Sequence, residues 1–99
     1  MNVYGISLGL LGIDGLESVG HYTDENGSPT ETRIDFTDGT IIIAADEQDD
    51  QGNINGFTYT RYDSQAHHDN GEESETDGSD DLADLASVIL HTASEALFS

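Results

Sequence analysis

Lysine and cysteine are both absent from this 99-residue chain, and arginine occurs only at Arg33 and Arg61. Without cysteine there is no disulfide, no thiolate nucleophile and no cysteine-based zinc site, which fits a reducing cytoplasm. With two guanidinium groups and no ammonium side chain, the chain lacks the cationic surface that binding to nucleic-acid phosphates or to an anionic membrane requires. No apolar run is long enough to span a bilayer. The apolar opening, residues 3–13, is broken by Gly5, Gly9 and Gly12 and has no basic flank, so it does not read as a signal peptide. Glycine-rich phosphate loops, a nucleophile elbow and an HExxH pair are missing as well. No catalytic residue and no cofactor are expected.

What the chain has instead is acid. Twenty-one Asp and Glu set the formal charge at −19. A compact domain of about 100 residues is roughly 30–35 Å across, and that length of DNA duplex carries about 19 phosphate charges. Repulsion of this size opposes compaction, so it calls for a counterpart: a basic partner or a salty solvent. Thirteen of the acids fall between positions 46 and 84. Asp46, Glu47, Asp49 and Asp50 form one cluster, and Glu72, Glu73, Glu75, Asp77, Asp80, Asp81 and Asp84 form a second. A single charge run is ordinarily a solvated face, but no basic residue lies inside either cluster to offset it.

Hydropathy patterning supplies the scaffold. Tyr4, Ile6, Leu8 and Leu10 alternate with Gly5, Ser7 and Gly9, which predicts a strand over 2–11. A turn at 12–15, a strand over 17–23 and a loop over 24–29 follow. Asp38-Gly39 between the segments 32–37 and 40–45 is the signal for a two-residue type I′ hairpin. In that register Phe36 faces Ile41 and Ile34 faces Ile43, all four on one side, with Arg33 and Asp35 on the other. The loop 46–55 leads to a strand over 56–62 with Phe57 and Tyr59 inward. Residues 63–81 are acidic and of low complexity. Ser79 reads as a helix N-cap with Asp80 and Asp81 in the first turn, followed by Leu82, Leu85, Ala86, Ile89, Ala93, Ala96 and Leu97 at helical spacing. The expected architecture is one α+β domain over 1–99. It comprises an antiparallel β-meander of four to five strands within 2–62, an acidic loop 63–79 and one C-terminal amphipathic helix 80–98 packed on the sheet.

Metal chemistry fits this pattern poorly. An EF-type loop with Gly78 at its sixth position places Glu73 first, Asp80 at the apolar eighth position and Asp84 twelfth, with no helix before it. His67 and His68, near Asp63 and Asp69, lack a third ligand at zinc spacing and read as a solvated loop. His91 and Glu95, four apart on the helix, read as a surface pair. No metal site is expected.

The acidic clusters and the hairpin Ile34-Asp35-Phe36-Thr37-Asp38-Gly39-Thr40 carry a resemblance in size and charge. In these respects the chain resembles small phage-encoded inhibitors of host defence, among them anti-CRISPR proteins, anti-restriction proteins and uracil-glycosylase inhibitors. The resemblance implies a nucleic-acid mimic acting in the host cytoplasm, most specifically an anti-CRISPR protein that blocks target-DNA binding. Its partner is then a basic nucleic-acid-binding protein, such as a CRISPR effector subunit. The expected contact residues are the two clusters together with Asp35 and Asp38. Two other readings share the composition. One is salt adaptation of an acidic domain, against which eight isoleucines argue mildly; the other is an acidic adaptor subunit that docks through Leu90, Leu97 and Phe98.

Overall fold

The computed structural model describes residues 3, 5, 9–10, 12–27 and 29–98. Its strands, β1 (Leu16–Thr23), β2 (Pro29–Phe36), β3 (Ile41–Gln48), β4 (Ile54–Tyr62) and β5 (Glu75–Ser79), form one antiparallel sheet in chain order. A short helix α1 (Gln65–Asp69) lies between β4 and β5, and α2 (Leu82–Leu97) ends the chain. This is an α+β fold: an open five-stranded meander with one C-terminal helix.

The same turn recurs in this meander. At the β2–β3 connection the Phe36 amide donates to the Thr40 carbonyl, and the Gly39 amide to the Phe36 carbonyl. The β3–β4 connection repeats both bonds, Asp49 to Asn53 and Gly52 to Asp49, and Gly27 donates to the Asp24 carbonyl after β1. Gly27, Gly39 and Gly52 each have φ between 81° and 95°, and among the described residues only glycines have positive φ. The β2–β3 and β3–β4 connections are three-residue loops with glycine in the left-handed position, not type I′ turns, which need positive φ at both central residues. The expected hairpin register therefore shifts by one. Ile34 pairs with Ile42, and Ile41 with Asp35. A one-residue slip moves a strand's side chains to the other face, so Ile42 and Ala44 point to the core, while Ile41 and Ile43 lie on the opposite side with Arg33 and Asp35.

The inward face brings together Ile34, Phe36, Ile42, Ala44, Phe57 and Tyr59, covered by Leu85, Ile89, Ala93 and Ala96 of α2 and joined by Val3. Each large apolar side chain buried this way contributes about 1.5–3 kcal/mol. The helix approaches closely where Gly15 passes under it: a Cβ on Gly15 would sit 2.2 Å from the Ala93 carbonyl oxygen. Among the described residues the opposite face carries no second layer of this kind, only α1 near β4, although Ile41 is buried on it.

Three further expectations change. Val3, Gly5 and Gly9 have helical backbone rather than the strand expected over 2–11, whose other residues, apart from Leu10 in a turn, lie outside the described set. The segment 63–79 is not a loop. Ser64 caps α1 by accepting from the His67 amide, and Gly71 (φ 70°) ends it, with bonds from Gly71 to His68 and from Glu72 to His67; this is a glycine-terminated Schellman motif. Glu75–Ser79 then pairs with residues 57–61 of β4 and supplies the fifth strand. The α2 cap is Asp81, which accepts from Ala83 N, whereas Ser79 closes β5 and its Oγ accepts from Asp81 N.

Candidate functional site

In an antiparallel meander, alternate connections fall at the same end of the sheet, which sorts the candidate acids. The β3–β4 turn with Asp49 and Asp50, the end of β3 with Asp46 and Glu47, and the start of α2 with Asp80, Asp81 and Asp84 share one end. The opposite end carries Asp38 in the β2–β3 turn and Glu72 and Glu73 before β5, with Asp35 nearby on β2. Glu75 and Asp77 lie between, on the edge strand. Gly56 brings the two parts of the first group together. It pairs with Glu47, and a Cβ there would meet the Ser79 carbonyl oxygen at 2.4 Å and Asp80 Cα at 3.0 Å. Only a glycine admits this approach, which places Glu47 and Asp80 on either side of Gly56 at the same end of the sheet, although 33 positions separate them.

Most of these carboxylates already hold something. Asp46 accepts from the Val3 amide (2.8 Å) and Asp38 from the Thr40 amide (2.9 Å). Asp49 accepts from both Gln51 N and Asn53 N, and Asp81 caps α2. Asp84 takes the Ser79 hydroxyl at 2.6 Å, Glu73 the Thr76 hydroxyl at 2.8 Å, and Asp77 the Gly78 amide. Glu75 takes the Tyr59 hydroxyl at 2.5 Å. Neutral donors interleaved with the acids thus do the work that lysines do on ordinary surfaces. Glu47, Asp50 and Asp80 have no such internal partner, and Glu72 has only the His67 ring at 3.9 Å. All four are exposed.

The two arginines sit in opposite settings. Arg33, on the open face, donates through Nε and Nη2 to Asp35 at 3.0–3.3 Å and through Nη2 to Gln65 at 2.5 Å. The Asp35 hydrogen bonds raise its pKa above the ordinary arginine value. Arg61, on the helix-covered face, has only ion pairs beyond hydrogen-bond reach, to Glu95 at 3.7 Å and Asp63 at 3.9 Å, and its buried Nε is unpartnered. It lines a cavity of about 240 Å³ with Tyr59, Glu75 and His91. Burial, and then the bond to Glu75, push the Tyr59 hydroxyl up to about 12. His67 and His68 belong to α1, with the His68 ring edge-on to Tyr62 at 5.0 Å. Among the described residues no cluster of three or more His, Asp or Glu is arranged to hold a metal ion.

Sequence reasoning missed Arg61, Tyr59 and Glu75 as a group because it placed Glu75 in a loop. No strand signal was available there, since Glu75, Asp77 and Ser79 alternate with Thr76 and Gly78 and neither face is apolar. The class these features define is a small acidic α+β protein whose sheet ends, rather than a deep cleft, bear its charge. Comparison with protein-family models, curated proteins and solved structures found no match. No helix among the described residues is long and apolar enough to cross a membrane.

Proposed function

We propose that the protein is an inhibitor that imitates nucleic acid and occupies the basic DNA- or RNA-binding surface of a host protein. The observation that carries the reading is a net charge of −19 on a folded body whose longest dimension is 42 Å. A duplex of that length carries roughly 25 phosphates, so the charge density is of the same order. A rigid sheet presenting such charge competes for a basic groove by charge-assisted hydrogen bonds to Arg and Lys. The most concrete form is an anti-CRISPR protein, phage-encoded and acting in the host cytoplasm, that blocks target-DNA binding by an effector subunit. Glu47, Asp50 and Asp80, free of internal bonds and gathered at one end, are the leading contacts, with Glu72 at the other.

The test is capture of a partner from bacterial lysate on the immobilised protein, followed by competition with duplex DNA. Displacement of a captured nucleic-acid-binding protein by DNA is expected. The triple variant Glu47→Gln, Asp50→Asn, Asp80→Asn should weaken capture and flatten its salt dependence. It should do so without loss of structure, since none of the three holds the fold. A captured partner that binds no nucleic acid, or a complex indifferent to excess DNA, overturns the reading. A second reading, docking as an adaptor, is favoured by α2. Residues 85–94 carry no carboxylate, and Leu90, Leu97 and Phe98 remain 45%, 52% and 86% exposed. Capture that survives the triple variant but fails in Leu90→Ser supports it instead.

A further inference from the structure

Arg61 and Glu75 are directly opposed on β4 and β5. Opposite charges in this arrangement ordinarily pair across the strands, yet here they do not touch. Glu75 Oε1 is taken by the Tyr59 hydroxyl, and Arg61 has no partner within hydrogen-bond distance, with its Nε out of water and unsatisfied. A buried donor left without an acceptor costs about 1–3 kcal/mol, more when charged, so the vacancy invites an explanation. Arg33 shows the contrast within the same chain, with its guanidinium bonded to Asp35 and Gln65.

Arg61 and Glu75 both line a cavity of about 240 Å³ between the β4–β5 margin and α2. Ser87 supplies a hydroxyl on its helix wall, Val88 an apolar side, and the Thr92 hydroxyl is already committed to the Val88 carbonyl. The field of the whole molecule narrows the ligand class. An anion entering here meets the repulsion of a −19 surface, and a lone cation, though drawn by that surface, leaves the Arg61 guanidinium without an acceptor. A neutral molecule carrying both charges meets neither penalty.

We propose that this cavity binds a small zwitterion of amino-acid size. Its carboxylate is taken by the Arg61 guanidinium, and its ammonium by the free oxygen of Glu75 with the Ser87 hydroxyl, while a short apolar side chain lies along Val88. The fork geometry of a guanidinium suits a carboxylate. The site is independent of the mimicry reading and stands or falls separately from it.

The experiment follows the Arg61 Nε–H signal of isotope-labelled full-length protein by NMR during titration with L-valine. Two fragments serve as controls: 3-methylbutanoate, which lacks the ammonium, and isobutylamine, which lacks the carboxylate. A saturable shift with L-valine is expected, at least about tenfold tighter than with either fragment, a difference of about 1.4 kcal/mol. Glu75→Gln should erase the preference for L-valine over 3-methylbutanoate, and Arg61→Gln, followed through the backbone amides of the lining residues Ser87 and His91, should abolish the response. Ser87→Phe, at an exposed helix position, should block the cavity while leaving the Arg61 signal in place. The proposal is overturned if the signal does not move by about 50 mM L-valine, where a contact worth about 2 kcal/mol already registers. It is equally overturned if the fragments bind as well as L-valine, or if the Ser87→Phe protein still responds.

Discussion

The sheet has two faces, and each carries one of the two arginines. The face under α2 is apolar, tightly filled and organised by burial, and at its β4–β5 margin Arg61 is left without hydrogen bonds. Among the described residues the open face has no second layer; one large apolar side chain, Ile41, is buried on it, and the rest is held by polar contacts: Arg33 to Asp35 and Gln65, Ser18 to Asp35 at 3.3 Å, and Tyr62 against His68. The lesson is that hydrophobic cover and ionic bracing substitute for one another in a chain nearly devoid of cations. One arginine is used where cover is missing, and the other stays available where cover is supplied.

The largest effect that sharpens this comparison is in the core. Phe36→Ala should cost about 3–5 kcal/mol, whereas Ile43→Ala, half-buried on the open face, should cost about 1–2 kcal/mol. Urea unfolding at about 0.15 M salt measures both, and equal losses would break the distinction between the faces.

The arginines give the next contrast. Arg33→Ala removes the guanidinium from the half-buried Asp35 and should cost about 1.5–3 kcal/mol. Arg61→Ala removes long, partly exposed ion pairs together with a buried Nε that has no acceptor, so it should lower stability by no more than about 0.5 kcal/mol. Stability losses in the reverse order would mean that the open face is not braced by Arg33.

Alkaline titration probes the covered face alone. The Tyr59 pKa is raised in the folded state to about 12 from an unfolded value near 10, so the neutral phenol is the form the fold prefers. Its contribution is fully present below about pH 10 and is lost as pH rises through about 12. Ultraviolet titration should show one of the four tyrosines ionising last, and Tyr59→Phe should remove that late step. Ionisation of all four near pH 10 contradicts the burial of Tyr59.

Salt is the smallest lever. Raising ionic strength from about 10 mM to 0.15 M shortens the screening length from about 30 to 8 Å and should raise the melting temperature by a few degrees. Exposed carboxylates repel less under these conditions while the core is unaffected. The triple variant at Glu47, Asp50 and Asp80 should show a shallower rise. A chain that folds only above about 1 M salt would instead support salt adaptation.

The regularities of the chain announced much of this. Alternation marked the central strands and the inward Phe57 and Tyr59, and helical spacing marked α2, because a 2.0 or 3.6 period reflects local geometry and one buried face. The N-terminal segment misled, since glycines alternating with apolar residues imitate a strand when Val3, Gly5 and Gly9 are in fact helical. The Asp38-Gly39 pair misled by one residue, because the same dipeptide serves a two- or a three-residue loop and only backbone geometry separates them. Asp81 rather than Ser79 caps α2 because β5 claims Ser79 first.

By itself, the sequence determined the charge, the want of cations to offset it, the α+β class and the residues able to form a core; these follow from composition and short-range period. Tertiary structure alone decided the rest. It made Glu75–Ser79 a strand, because backbone groups along β4 supplied pairing that the segment's own propensities do not call for. It drew Glu47 and Asp80 to the same end of the sheet, on either side of the side-chain-free passage at Gly56. It divided the acids into those that hold the fold and those left facing solvent, because a carboxylate's partner is chosen by what the fold places within about 3 Å of it.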